Sequence, residues 1–239
     1  MKLITIGSDS SGNCYLLRGR SETLILEAGV KYKEVIKALD YDISSVVGAV
    51  VSHEHGDHAK SVDDYLSNGI VTLANSNVLR GKHSSFAGII SAGQGYILGG
   101  FRILPFEAKH DVPCFGFIIE HSEMGKLLFL TDTMYSEYTF KGLNHILVEC
   151  NYCDHVLDKN IESGTVHESM RGRLLNTHME LKTTKNLLKS NDLSNVKNIV
   201  LIHLSKGNSD IQYCKDEIEK SIGLPIYIAS KGLELELEK

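Results

Sequence analysis

Three histidines and an aspartate crowd into Ser52-His53-Glu54-His55-Gly56-Asp57-His58. Imidazole is the commonest metal-binding side chain, and imidazole mixed with carboxylate suits zinc, iron or manganese better than calcium. If the chain stays extended through His53 and His55, both side chains point to one side and can share an ion. Gly56 then turns the chain into a helix, whose first turn carries Asp57 and His58 toward a second ion. Three further donors stand just past apolar runs. His110 follows Arg102–Phe106, Asp132 follows Leu127–Leu130, and His203 ends Ile199-Val200-Leu201-Ile202. Open α/β sheets build their sites at the carboxyl ends of strands, so this placement predicts one metal centre assembled from distant segments. A polar surface turn that merely contains three histidines would predict no such additional donors.

The elements that must position these donors read as follows. Leu3–Ile6, Asn13–Leu17 and Thr23–Glu27 are rich in β-formers and separated by glycine turns. Lys33–Leu39 is helical by spacing, and Val46–Val51 is a short apolar run of a strand buried on both faces. A helix is expected over Ala59–Ser67. Strands follow at Val71–Ala74, Gly95–Ile97, Arg102–Phe106, Phe115–Glu120, Lys126–Leu130 and Ile146–Glu149. Tyr152–Leu188 is polar and helix-compatible. Asn198–His203 is a last central strand, Asp210–Ser221 a last helix, and Ile226–Ile228 and Leu233–Leu237 are closing strands. Two stacked sheets between helices satisfy this α/β pattern.

The chain has 239 residues, 42% hydrophobic and 23% charged, which suits one large globular domain. No apolar stretch approaches the roughly 18–20 residues of a membrane span. Five cysteines and no leader fit reduced thiols and a cytoplasmic location. The net charge of -5 argues against a generally basic coat for nucleic acid, though not against a local basic face. Between Lys159 and Lys189, six basic residues oppose three acidic ones, and Arg171 and Arg173 there are candidate phosphate contacts.

The H-x-H-x-D-H pattern followed by His110, Asp132 and His203 resembles the metallo-β-lactamase fold superfamily over essentially the whole chain. The resemblance implies an αββα four-layer sandwich forming a single domain, residues 1–239. It implies two divalent ions per chain, zinc or manganese with iron as a further option. His53, His55 and His110 would hold the first, Asp57, His58 and His203 the second, and Asp132 would bridge them. A closer similarity is to the YycJ-type (WalJ) branch, associated with 5′-to-3′ DNA exonuclease activity. It is carried by Gly7–Tyr15, Glu149-Cys150-Asn151, His178 with its following helix, and His203–Asn208. The chain departs from that branch's usual Gly at Asp9, Ser at Cys150 and Asp at Glu27. The acidic residue at position 27 is expected to orient the histidine loop, so its extra methylene bears on metal preference.

The resemblance implies a phosphodiesterase, most simply a DNA exonuclease, in which a hydroxide shared by two ions attacks phosphorus. Asp57 would take part in that chemistry, and His178 would protonate the leaving oxygen or grip a phosphate. Ser10 and Asn13 in the Ser8–Asn13 loop, together with Asn151 and Lys206, are candidate substrate contacts. A cyclic-nucleotide phosphodiesterase or RNA nuclease would use the same centre. An acyl hydrolase (thioesterase, lactonase or lactamase), a di-iron redox protein and a ligand-binding module are the competing classes. The partner expected is a nucleic acid or nucleotide, with no membrane. Cys150-x-x-Cys153 lacks a second pair for a structural zinc site. His83, His121, His145, His155 and His167 match no ligand position and are expected at the surface or behind the ligands.

Overall fold

The computed structural model describes residues 1–239. Its first half contains β1 (Lys2–Asp9), β2 (Gly12–Arg18), β3 (Thr23–Leu26), α1 (Tyr32–Ala38), β4 (Val46–Val51), α2 (Gly56–Ala59), α3 (Val62–Ser67), β5 (Thr72–Ala74) and β6 (Ala87–Ile89). The second half begins with β7 (Tyr96–Leu98), β8 (Phe101–Ala108), β9 (Cys114–His121), β10 (Gly125–Leu130) and β11 (His145–Glu149). There follow α4 (Asp154–Glu162), α5 (Ser169–Thr177), α6 (Leu181–Lys189), β12 (Asn198–Ile202), α7 (Ile211–Ile222), β13 (Ile226–Ile228) and β14 (Glu234–Glu236).

These strands form two seven-stranded sheets, ordered β14-β1-β2-β3-β4-β5-β6 and β13-β12-β11-β10-β9-β8-β7. Each sheet changes from antiparallel to parallel pairing midway, at β3 in one and β10 in the other. The last strand returns to the first sheet, with Leu235 opposite Leu3, so the two ends of the chain close on each other.

Period-two alternation sorts side chains into layers. Leu3, Tyr15, Leu17 and Leu24 pack between the sheets against Phe101, Ile103, Phe117 and Phe129. Their neighbours Ile4, Leu16 and Ile25 face outward, where Val35 of α1 and Val62 and Tyr65 of α3 cover them. On the second sheet Leu128, Ile146 and Leu201 face Leu187 and Leu188 of α6 and Ile218 of α7. The result is the expected αββα sandwich. α7 shows why its sequence makes a helix. Asp210 Oδ1 accepts the Tyr213 N–H at 3.0 Å, Cys214 and Ile218 bury one face, and Gly223 ends it at φ 74°. No helix is long and apolar enough to cross a membrane.

Two elements differ from the sequence reading. The helix expected over Ala59–Ser67 is two short helices, the first beginning at Gly56. The break has a partner elsewhere: Ala28, just past β3, donates its N–H to His58 O at 2.7 Å and accepts the Ser61 N–H at 2.8 Å. Those bonds tie the histidine loop to the sheet where a helix would have used the same groups. β6, with Gly88 at its centre, is a three-residue edge strand too short to show alternation.

Candidate dinuclear metal centre

Parallel strands bring the donors to one level. β3 and β4 run side by side with Leu26 opposite Val50, and the chain leaves them at Glu27 and at Ser52-His53. Leu130, Val148 and Leu201 are in register across β10, β11 and β12, so Asp132, Glu149 and His203 follow at similar heights. Five non-glycine residues have positive φ, and three of them are here: Glu27 at 68°, Asp132 at 42° and His203 at 54°. Each such conformation costs about 1–3 kcal/mol and is held only where surrounding structure dictates it. His53, His58, Asp132 and His203 are all buried.

Asp132 stands between two groups of nitrogens. Its Oδ2 lies 3.8 Å from His53 Nε2 and 3.9 Å from His110 Nε2, and the latter is 3.2 Å from His55 Nδ1. Its Oδ1 lies 3.2 Å from His58 Nε2 and 3.7 Å from His203 Nε2. Asp57 Oδ2 completes this second group, 3.4 Å from His58 Nε2 and 3.2 Å from His203 Nε2. One carboxylate thus offers one oxygen to each of two donor clusters.

The other nitrogen of three of these rings is engaged behind the centre, and that of His58 lies near a carboxylate without a hydrogen bond. His110 Nδ1 donates to Thr177 O at 2.8 Å. His53 Nδ1 is 2.9 Å from Ser52 Oγ and 3.6 Å from Cys114 Sγ. His58 Nδ1 faces Glu27 Oε2 at 3.4 Å, and His203 Nδ1 faces Glu149 Oε1 at 3.3 Å. Such contacts fix ring orientation and aim the free nitrogen inward. His53 Nε2 is buried without a hydrogen-bond partner. An unmet buried polar atom costs about 1–3 kcal/mol, and a divalent ion held among His53, His55, His110 and Asp132 would satisfy it. The donor set therefore fits two metal ions of the zinc or manganese kind.

The electrostatics are those of imidazoles packed against buried carboxylates, which, against the effect of burial, raise His58 and His203 above the ordinary histidine value. Burial pushes the Asp132 carboxyl up, but the imidazoles of His203 and His58 override it and hold the group well below the usual carboxylate range. Burial keeps His53 well below the ordinary histidine value, in the neutral form that binds metals. Burial raises Glu27, partly offset by His58. The Glu27 carboxylate also accepts the Ser52 N–H at 3.2 Å, so the longer side chain still reaches both the strand end and the ligand. The ligand loop lies directly on Gly29, where a Cβ would stand 1.7 Å from Asp57 O.

The seven expected ligands converge, whereas the expected substrate contacts divide. Asn13 and Asn151 are buried behind the ligands rather than open to substrate. The Asn13 amide donates to Asp9 O and Asp57 O, at 3.1 and 3.3 Å, and touches His58. The Asn151 amide donates to His203 O at 2.9 Å. Both hold ligand-bearing backbone, because a buried amide must meet its hydrogen bonds there. Ser10 stands exposed at the tip of the β1–β2 turn, and Lys206 is exposed and paired with Asp9 at 2.8 Å. His178 stacks on His203 with ring centroids 5.3 Å apart, and its Nδ1 meets Glu149 Oε1 at 2.7 Å. Burial would lower His178, but Glu149 outweighs it and raises the group. Arg171 is paired with Asp158. His121 and His145 are buried: His121 Nε2 meets Glu22 at 2.9 Å, and Asn198 lies beside His145. All five cysteines are free and buried.

Glu149 is the residue whose role sequence reasoning missed. Fully buried, it faces His178 and His203 and accepts the N–H groups of Thr133 and Met179 at 3.1 and 3.2 Å. Its signal was the one that revealed Asp132, an acidic residue closing a buried apolar strand.

Comparison with known proteins places this geometry. The chain is 25% identical over 221 residues to the exodeoxyribonuclease YycJ of Bacillus anthracis, covering 85% of this chain and 82% of that one. Its fold matches zinc-bound PqqB of Methylobacterium extorquens with a TM-score of 0.74 at 12% identity, over 99% of this chain and 100% of the other. It also matches the short form of human tRNase Z, with a TM-score of 0.62 at 15% identity over 100% of both chains. Residues 7–143 match the family model of the metallo-beta-lactamase superfamily. That match spans more than half of the chain, which therefore belongs to the metallo-beta-lactamase superfamily of hydrolases.

Proposed function

We propose that this chain is a dinuclear metal-dependent phosphodiesterase that degrades nucleic acid, as a DNA exonuclease working from the 5′ end. The observation that carries the reading is the bridging position of Asp132, one oxygen toward each cluster. Bound there, two divalent ions supply a nucleophile from water near neutral pH and polarise the phosphoryl oxygen. The protein's own groups do the rest. Asp132 and Asp57 place two negative charges beside the positive centre. Glu149 accepts from His178 Nδ1, which leaves His178 Nε2 free to hand a proton to the departing oxygen. An alkoxide leaving group needs that proton or an equivalent positive charge. Asn13, Asn151 and Gly29 keep the ligand loops at fixed distance, so that catalysis starts from a preorganised site.

Support for nucleic acid comes from the exodeoxyribonuclease relative and from the likeness of fold to tRNase Z. The test is to load the protein with zinc or manganese and offer end-labelled DNA, a cyclic nucleotide and a chromogenic β-lactam. The reading expects mononucleotides released stepwise from a DNA end, with little turnover of the other two. Efficient cleavage of the lactam or the cyclic nucleotide with intact DNA would overturn it.

A further inference from the structure

A cavity of about 430 Å³ lies beside the centre, lined by neighbours of the candidate ligands but by none of the ligands themselves. Part of its wall adjoins the candidate ligands: Ser8, whose hydroxyl accepts the His203 N–H at 3.0 Å, then Leu204, and Lys60, two residues past His58. Lys31, Lys60, Lys206 and Lys231 line it against only two carboxylates, Asp9 and Glu34. A second cavity, of about 900 Å³, shares Ile6, Glu34 and Lys231 with the first. It continues along α1 past Lys33, Lys37 and Arg18. The two cavities adjoin at those shared residues and together form one groove.

Most of the positive charge in this groove is available. Lys206 pairs with Asp9, Lys231 with Glu34 and Arg18 with Asp40, while Lys31, Lys33, Lys37 and Lys60 enter no ion pair. The two lysine pairs are exposed, at 77% and 71% of the lysine side chain, and exposed pairs contribute little to stability. A phosphate can displace either carboxylate at low cost. In the α4–α6 region Arg171 is paired with Asp158 and Lys185 with Glu217, and its remaining basic residues line neither cavity.

An aromatic side chain stands in the same groove without a structural task. Tyr41 lines the second cavity and is 76% exposed. It has φ 63° and follows Asp40 at φ 54°, the two positive-φ residues that the metal centre does not explain. Single-stranded nucleic acid is recognised by a cationic groove that follows the backbone and by aromatic rings on which bases stack. We infer that one polynucleotide strand lies in this groove, its phosphates on the lysines of the two cavities and a base on Tyr41. This rests on the nucleic-acid reading above and adds the path of the strand.

The test uses metal-loaded protein and a fluorescent, cleavage-resistant phosphorothioate 12-mer, with binding followed by anisotropy at several salt concentrations. Lys33→Gln/Lys37→Gln removes two phosphate contacts. The slope of log affinity against log salt should then fall by about 1.4, and affinity at low salt by roughly ten- to fiftyfold. Tyr41→Ala should weaken binding roughly five- to a hundredfold, and Tyr41→Phe should restore it. Arg171→Gln/Arg173→Gln should bind as wild type. Metal content and melting temperature of each variant report whether it is folded, and both lysines are exposed positions on α1. Unchanged affinity and slope in the lysine variant, or a loss confined to the arginine variant, would overturn the groove while leaving the nuclease reading intact. Wild-type protein that cleaves small phosphodiesters yet binds no oligonucleotide would remove both.

Discussion

Replacing Asp132 with asparagine separates the two metal sites in a direction that the structure specifies. Thr131 Oγ1 donates to Asp132 Oδ1 at 2.7 Å, so the amide oxygen of the variant takes that side. It then still faces His58 Nε2 and His203 Nε2, at 3.2 and 3.7 Å in the native protein. The amide NH₂ takes the Oδ2 side, toward His53 and His110 at 3.8 and 3.9 Å. An amide nitrogen has no lone pair to give a metal. The His53–His55–His110 cluster therefore loses its carboxylate, while the Asp57–His58–His203 cluster keeps an oxygen. Removing a mere supporting contact around a metal costs about 10–100-fold in affinity, so losing a ligand should cost at least about a hundredfold at the first site. Turnover should fall at least about a hundredfold with it. The assay is equilibrium dialysis at a buffered zinc concentration near saturation for the wild type, with near-ultraviolet circular dichroism to confirm folding. The expected result is close to one ion per chain for the variant and two for the wild type. Two ions at unchanged affinity would refute the bridging arrangement, and no ion at all would refute the independence of the clusters.

Other outcomes follow from the same geometry. Asp57→Asn keeps the shape of the loop but removes a charge 3.2 Å from His203 Nε2, and should give a folded protein with at least about a hundredfold lower kcat. His178→Ala should slow DNA cleavage by about 10²–10⁴-fold yet largely spare an aryl phosphodiester, whose phenolate leaves without a proton; equal slowing of both would remove the acid role. Gly29→Ala places a methyl 1.7 Å from Asp57 O, so the loop must move. That substitution should lower stability by about 1–3 kcal/mol in denaturant melts and weaken metal binding, and a wild-type metal affinity would contradict the close contact.

The convergence of the candidate ligands was legible because metal coordination demands particular residue types at strand ends, and H-x-H-x-D-H after Val46–Val51 supplies both. Asp132 and His203 could be found by the same rule. Glu149 obeys it too, yet its partners are imidazole N–H groups and backbone, which leave no mark of their own in the sequence. Asn13 and Asn151 have the composition of substrate contacts, and only tertiary structure shows their amides turned toward Asp57 and His203. The break between α2 and α3 depends on Ala28, which lies 30 residues before His58 in sequence and beside it in space. Part of the Lys159–Lys189 charge is met by partners outside that stretch, Asp158 beside Arg171 and Glu217 beside Lys185, which only the fold reveals. The lysine groove was invisible because α1, the β1–β2 turn and the segment before β14 meet only in the fold.

The most direct measurement titrates metal-free protein with zinc or manganese while following release of mononucleotides from end-labelled DNA. Two bridged ions predict little activity up to one equivalent per chain and a rise to full rate at two. Full rate at one equivalent, or intact DNA at saturating metal alongside turnover of a thioester or β-lactam, would contradict the account.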